Sequence, residues 1–227
     1  METGPRGIFG PPMKPGRFIT FEGIEGSGKS TQIERLSRRL GDAGIDVVRV
    51  REPGGTAIGD RIRGILLDPA CAGMCAETEM YLFAASRAQL VRQVIRPALA
   101  AGKVVVCDRF LHSSLAYQGG GRALGRPLVS RVNAAAVDGL EPDRVVLLDL
   151  PPEAALGRAA ARARLDRIEQ ERIDFFEAAR TAFLEEAAAA PERFVVVDAS
   201  GDADSVEAEV LAGLGALAST TTTGSAA

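Results

Sequence analysis

Residues 17–31 read RFITFEGIEGSGKST, and this stretch decides the fold. Arg17–Glu22 is a short β-rich run. Gly23-Ile24-Glu25-Gly26-Ser27-Gly28-Lys29-Ser30 then satisfies G-x-x-x-x-G-K-[ST] at every fixed position, and Thr31 follows it. Lys29–Leu40 continues with Ile33, Leu36 and Leu40 at helical spacing. A strand, a glycine-rich loop and a helix in that order make a phosphate cradle. The glycines let backbone N–H groups approach phosphate oxygens with no Cβ in the way. The helix start directs its positive dipole end at the anion. Lys29 is expected to reach the β- and γ-phosphates, and the Ser30 hydroxyl to ligate Mg²⁺. A bare glycine turn before a surface helix would not need all eight residues. Glu25 is unusual in a loop that only holds phosphate. It repels a nucleotide unless it serves another ligand, such as a metal-bound water or a sugar hydroxyl; the other reading is a solvated loop charge.

Outward from this loop, strand and helix signals alternate. Asp46–Arg51, Lys103–Asp108, Arg144–Leu150 and Arg193–Asp198 read as further apolar strands. Helices are expected at Ala57–Leu67, Glu77–Ala100 with a break near Pro97, Leu128–Val137, Glu153–Arg164, Glu171–Ala189 and Ala203–Leu217. Five apolar strands interleaved with helices predict an α/β fold with three layers: a mostly parallel sheet covered by helices on both faces. Ligands in such sheets bind at the carboxyl ends of the strands. Glu22, Asp108 and Asp149 fall there.

The chain has 227 residues, which suits one domain at 17–218. Residues 1–16, rich in Gly and Pro, read as a disordered lead-in, with Met13 a second possible start; residues 219–227 read as a disordered tail. No apolar signal-peptide core and no long apolar run are present, so a cytoplasmic protein without a membrane span is expected. With 27 Lys+Arg against 30 Asp+Glu, the net charge is -3, which disfavours a broad nucleic-acid face. Three Cys and one His argue against a disulfide framework, a zinc site and a Ser-His-Asp triad; His112 reads as a loop residue.

Four other segments carry chemistry. REPGGT (51–56) follows the second strand. In the helix at 77–100, Arg87 lies four residues after Phe83 on the apolar stripe; it is either a snorkelling arginine or a buried one with a ligand. Asp108-Arg109 ends a strand and suits Mg²⁺, water and phosphate contacts, or a structural ion pair. Arg158, Arg162, Arg164, Arg167 and Arg172 form a run that is ordinarily a solvated helix face.

FEGIEGSGKST, REPGGT, Phe83-x-x-x-Arg87, DRFLHSSLAYQGGGR and RARLDRIEQERIDFF, in this order, resemble the thymidylate kinases, members of the P-loop nucleoside-monophosphate kinases. The resemblance spans Arg17 to about Leu217 and implies Mg²⁺-dependent transfer of the ATP γ-phosphoryl group to dTMP. It also implies the P-loop NTPase fold and a homodimer, with no nucleic-acid polymer or membrane as partner. By resemblance, residues 23–31 (Gly23, Ile24, Glu25, Gly26, Ser27, Gly28, Lys29, Ser30, Thr31) and Arg158 bind ATP. Phe83 stacks on thymine, Arg87 hydrogen-bonds its edge, Pro53 lines the pocket, and Ser114 and Gln118 complete the base contacts. Arg109 binds the dTMP phosphate with Arg51 near it, Tyr117 packs where a ribose 2'-hydroxyl would clash, and Glu25 serves the sugar and the metal-water network. Asp108 joins Ser30 at the metal, through water. Some family members carry the donor-clamping arginine in the loop after the carboxylate; here that position is Gly26. The bacterial-type arrangement, with arginines on a lid at about 158–172, fits instead, Arg162 being the leading residue and Arg167 the second. Phe110 and Ser114 replace a common Tyr and Asn, and Arg164 departs from close relatives. Competing readings are another nucleoside or nucleoside-monophosphate kinase, a catalytically inert scaffold and a GTPase-like switch. The switch lacks its Asn-Lys-x-Asp loop, since Asn133 is followed by Ala134.

Overall fold

The structure, a computed structural model, describes residues 16–160 and 165–215. The strands are β1 (Arg17–Glu22), β2 (Val47–Arg51), β3 (Val104–Asp108), β4 (Arg144–Asp149) and β5 (Phe194–Asp198). They form one sheet in the order β2-β3-β1-β4-β5, and every pairing is parallel. The helices are α1 (Lys29–Asp42), α2 (Ala57–Leu67), α3 (Ala76–Leu90), α4 (Arg96–Ala100), α5 (Leu111–Ser114), α6 (Arg126–Val137), α7 (Pro152–Ala160), α8 (Ile173–Ala189) and α9 (Ala203–Leu214).

Alternation along the strands builds two cores. Phe18 pairs with Val105 and Ile19 with Val106, so odd and even positions leave on opposite faces. Ile19, Phe21, Val104 and Val106 pack with Ile33, Leu36, Phe176 and Phe183 on one side. Phe18, Val105 and Cys107 pack with Leu90, Val91, Ile95 and Phe110 on the other. Each such side chain contributes on the order of 1.5–3 kcal/mol by leaving water. Register then aligns the strand ends: Phe21 and Arg51 both lie beside Asp108.

Two departures from the expected helices have local causes. The long helix at 76–100 changes hand-hold before Pro97, through a π-helical turn at Val91–Ile95, because Pro97 has no N–H to give the carbonyl one turn back. Residues 111–121, not expected as helix, form α5 and a π-helical turn, Leu115–Gly121. Gly121 lets α8 pack closely: a Cβ there would meet the Phe175 ring at 2.6 Å. The lead-in expected at 1–16, except Gly16, the tail expected at 219–227, and Arg162 and Arg164 lie outside the described residues. Among those described, no helix is long and apolar enough to cross a membrane.

Candidate active site

The loop after β1 opens onto a cleft of about 1630 Å³, open solvent included, at the carboxyl edge of the sheet. Glu25, Gly26, Ser27, Gly28, Lys29, Ser30 and Thr31 line it, together with Arg51, Asp108, Arg109 and Arg158. Helix α1 starts without a side-chain cap, which leaves its first N–H groups to an anion. Gly28 supplies the left-handed turn, φ 93°, that swings the chain into the helix. Lys29 curls back, donating from Nζ to Gly23 O and Ile24 O, both at 2.9 Å. Burial first, then the charge of Arg109, lowers its pKa to about 8. Gly23 and Ile24, expected to touch ATP, do not line the cleft; they serve as acceptors behind Lys29, and Ile24 is buried in the core. At Gly26 a Cβ would lie 2.0 Å from Ala155 O of α7. The space that a loop arginine would need is therefore filled by α7.

A buried charge cluster stands beside the loop. Glu25 takes Tyr117 Oη at 2.6 Å and the Arg109 guanidinium. Arg109 also donates to Gly23 O at 2.9 Å and Ser113 Oγ at 3.2 Å, and lies 5.0 Å from the Tyr117 ring centre. Its φ of 68° lies in the left-handed region, a cost of about 1–3 kcal/mol for a side-chain-bearing residue. These contacts offset that cost and fix the guanidinium. Burial pushes the Glu25 carboxyl up, but Arg109 and Lys29 outweigh it and hold it below the ordinary value. Glu22, wholly buried, accepts from Phe110 N at 2.8 Å and Ser113 Oγ at 2.5 Å. Burial still raises its pKa to about 7. Of the strand-end acids, Asp149 is committed elsewhere, in a two-pronged pair with Arg180 at 2.7 and 2.8 Å.

A second cavity, of about 470 Å³ with open solvent included, adjoins the cleft. Pro53, Phe83, Ser114, Tyr117 and Gln118 line it, with Leu67 and Ile168. Glu25, Glu52, Arg63, Arg109 and Asp166 border both spaces. Arg87 is 1% exposed and does not line the cavity. Its Nε donates to Glu52 at 2.7 Å, Nη1 to Ser114 Oγ at 3.0 Å and to Asn133 Oδ1, and Nη2 to Phe110 O at 3.0 Å. Every nitrogen of Arg87 is thus engaged by protein oxygen. Arg87 stands behind the wall, bonded to Ser114 and Glu52. Burial, only partly offset by Arg87, raises the Glu52 pKa to about 7, and its Oε1 has no hydrogen-bond partner among the described residues. Arg51, exposed and 3.3 Å from Asp60, lines the open cleft rather than the smaller cavity.

The arginine run is not one face. Arg158 lines the cleft and donates to Ala199 O and Ser200 O at 2.9 and 3.1 Å. Arg167 is 6% exposed and lines neither space; it donates to Leu66 O at 2.7 Å and to Glu79 at 2.6 Å. Burying the guanidinium required a carboxylate partner, and Glu79 supplies it. His112 sits on α5, buried rather than in a loop, its ring edge-on to Phe194 at 5.0 Å. Burial lowers its pKa to about 3, so it is neutral.

The residues fit Mg²⁺ of the kind that phosphates and water mainly hold. Ser30 and Asp108 line the cleft, and Asp108 Oδ1 is buried without a hydrogen-bond partner among the described residues. Among the described residues no group of three His, Cys, Asp or Glu forms a protein cage for a metal.

A family model described as thymidylate kinase matches residues 21–210. The chain belongs to the thymidylate kinase family. It is 51% identical over 195 residues, 86% of this chain and 93% of the relative, to a thymidylate kinase of Ectopseudomonas mendocina. It is 50% identical over 200 residues, 88% and 97% respectively, to a thymidylate kinase of Deinococcus radiodurans. Within this thymidylate kinase site, sequence reasoning missed Glu52, Arg63, Ser113 and Asp166. Arg63 had a signal: Thr56, Gly59 and Arg63 share one face of α2, aimed back at the strand edge. Asp166 had none, lying inside a mixed-charge run.

Proposed function

We propose that the protein transfers the γ-phosphoryl group of ATP to the 5'-phosphate of dTMP, giving ADP and dTDP for dTTP synthesis. The observation that carries this reading is the meeting of two unequal cavities at Arg109 and Glu25, beside a phosphate-binding loop. The open cleft suits a triphosphate. The smaller cavity, with Phe83, Pro53, Ser114 and Gln118, suits a pyrimidine held by stacking and polar edge contacts. Tyr117 and Glu25, locked together, face the deoxyribose.

The acceptor phosphate has a second pKa near 6 and is largely dianionic at neutral pH. No general base is needed, and the neutral His112 is not one. An acceptor oxygen attacks the γ-phosphorus as the bond to the β-bridging oxygen breaks. The chain's part is in-line positioning and cationic support of a loose, charge-rich transition state. Lys29 leaves the loop carbonyls for the donor phosphates. Arg109 and Arg63 hold the acceptor phosphate, and an arginine of the lid at 158–172, Arg158 or Arg162, completes the donor side. Mg²⁺, when bound near Ser30 and Asp108, neutralises phosphate charge and aligns the oxygens.

We place the enzyme in the cytoplasm, as a homodimer through helices beside the sheet. The apolar side chains of Ile58 (55% exposed) and Ile65 on α2 and Tyr81 (58% exposed) on α3 support that face. The test of function is ADP release with Mg-ATP and each of dTMP, dUMP, UMP, CMP, AMP and GMP. Release fastest with dTMP is expected; a faster alternative acceptor moves the protein to another nucleoside-monophosphate kinase activity.

A further inference from the structure

Glu79 lies on α3, 1% exposed, and belongs to neither cavity wall. Its Oε1 accepts from Gln118 Nε2 at 2.8 Å and Arg122 Nε at 3.1 Å; its Oε2 accepts from Arg122 Nη2 at 2.9 Å and Arg167 Nη2 at 2.6 Å. Burial alone pushes this carboxyl up, yet hydrogen bonds from Arg122 and Gln118, the Arg122 charge and the Arg167 bond hold it below the ordinary value. It is a buried anion with two cations and an amide closed around it.

Each partner leads to a different wall. Gln118 lines the smaller cavity. Arg167 ties its own backbone and side chain to the end of α2, through Leu67 O at 3.1 Å and Leu66 O at 2.7 Å. Its neighbours Asp166 and Ile168 are thereby set into the cavity wall, and Asp166 also borders the cleft. Arg122 reaches Glu171 at 2.6 Å and lies 4.6 Å from the centre of the Phe175 ring, which packs against Tyr117. Residues 166–168 thus meet the body at a carboxylate that also orients the Gln118 amide.

We propose that Glu79 is a positioning residue for the acceptor nucleotide, fixing Gln118 and the 166–168 wall in one register. The inference rests on the dTMP kinase reading. A Gln at 79 keeps the volume but removes the charge and presents N–H groups to two arginines. A charged hydrogen bond is worth about 1.5–3 kcal/mol. In Glu79→Gln, KM for dTMP should rise about tenfold or more while KM for ATP stays within about twofold. Adding Gln118→Ala should be far from additive, because Glu79 acts on the base through Gln118. Where Glu79→Gln yields little folded protein, Glu79→Asp, which retracts the carboxylate by one methylene, should show the same split. A merely structural role lowers Tm and the active fraction with both KM values unchanged; that result, or an equal rise in both, overturns the proposal alone. A wild-type enzyme that transfers no phosphate to dTMP overturns the functional reading and this one with it.

Discussion

The acceptor cavity and the donor cleft share a border but are built in opposite ways. The acceptor side is closed by side chains already bonded to one another: Glu25 to Arg109 and Tyr117, Arg87 to Ser114 and Glu52, Gln118 to Glu79. Little has to move to receive a nucleotide of the right shape. The donor side is open, and its principal cation rests on its own loop carbonyls. Specificity is therefore preorganised on one side, while charge is supplied on the other when the triphosphate arrives.

The sharpest way to break this contrast is Lys29→Ala. It should cut kcat by about 10³-fold or more, on the scale that cations contribute to phosphoryl-transfer transition states, while dTMP binding measured by calorimetry is little changed. Near-normal turnover would remove the loop from the chemistry. Next, Arg87→Ala leaves Glu52 buried without its cation, a loss of about 3–5 kcal/mol in stability by the usual cost of an orphaned buried charge. Thermal melts should show it, and KM for dTMP should rise with KM for ATP steady; equal effects on both would mean that the two sides are not separable. The smallest expected effect concerns Glu22. A carboxyl whose pKa is raised by folding, here to about 7 from 4.5, stabilises the fold below its ordinary value and loses that contribution as pH rises through about 7. The melting advantage of the wild type over Glu22→Gln should therefore shrink between pH 5 and pH 8. A constant gap would mean that Glu22 keeps one protonation state throughout.

The donor side was the more legible in the sequence. Backbone binding of phosphate demands glycines at fixed spacing, so the loop announces itself, and the apolar runs on either side located all five strands within a residue or so. The acceptor side was legible mainly as resemblance. Phe83, Ser114, Tyr117 and Gln118, grouped by that resemblance, line one cavity. Arg87 and Arg167 line neither space; sequence spacing shows that a charge lies on a buried face but not which carboxylate meets it there. Glu52 and Glu79 lie 35 and 88 positions from those partners. The helix at 111–121 was hidden by its glycines, whose helical use depends on α8 pressing against them.

The most direct measurement asks whether the two cavities form one reaction site. An adenosine and a thymidine joined through a polyphosphate bridge should inhibit competitively against both ATP and dTMP, and bind more tightly than either. Lys29→Ala should weaken it through the donor arm alone, and Glu79→Gln through the acceptor arm alone. Competition against only one substrate, with no gain in affinity over that nucleotide by itself, would contradict a shared site at Arg109 and Glu25.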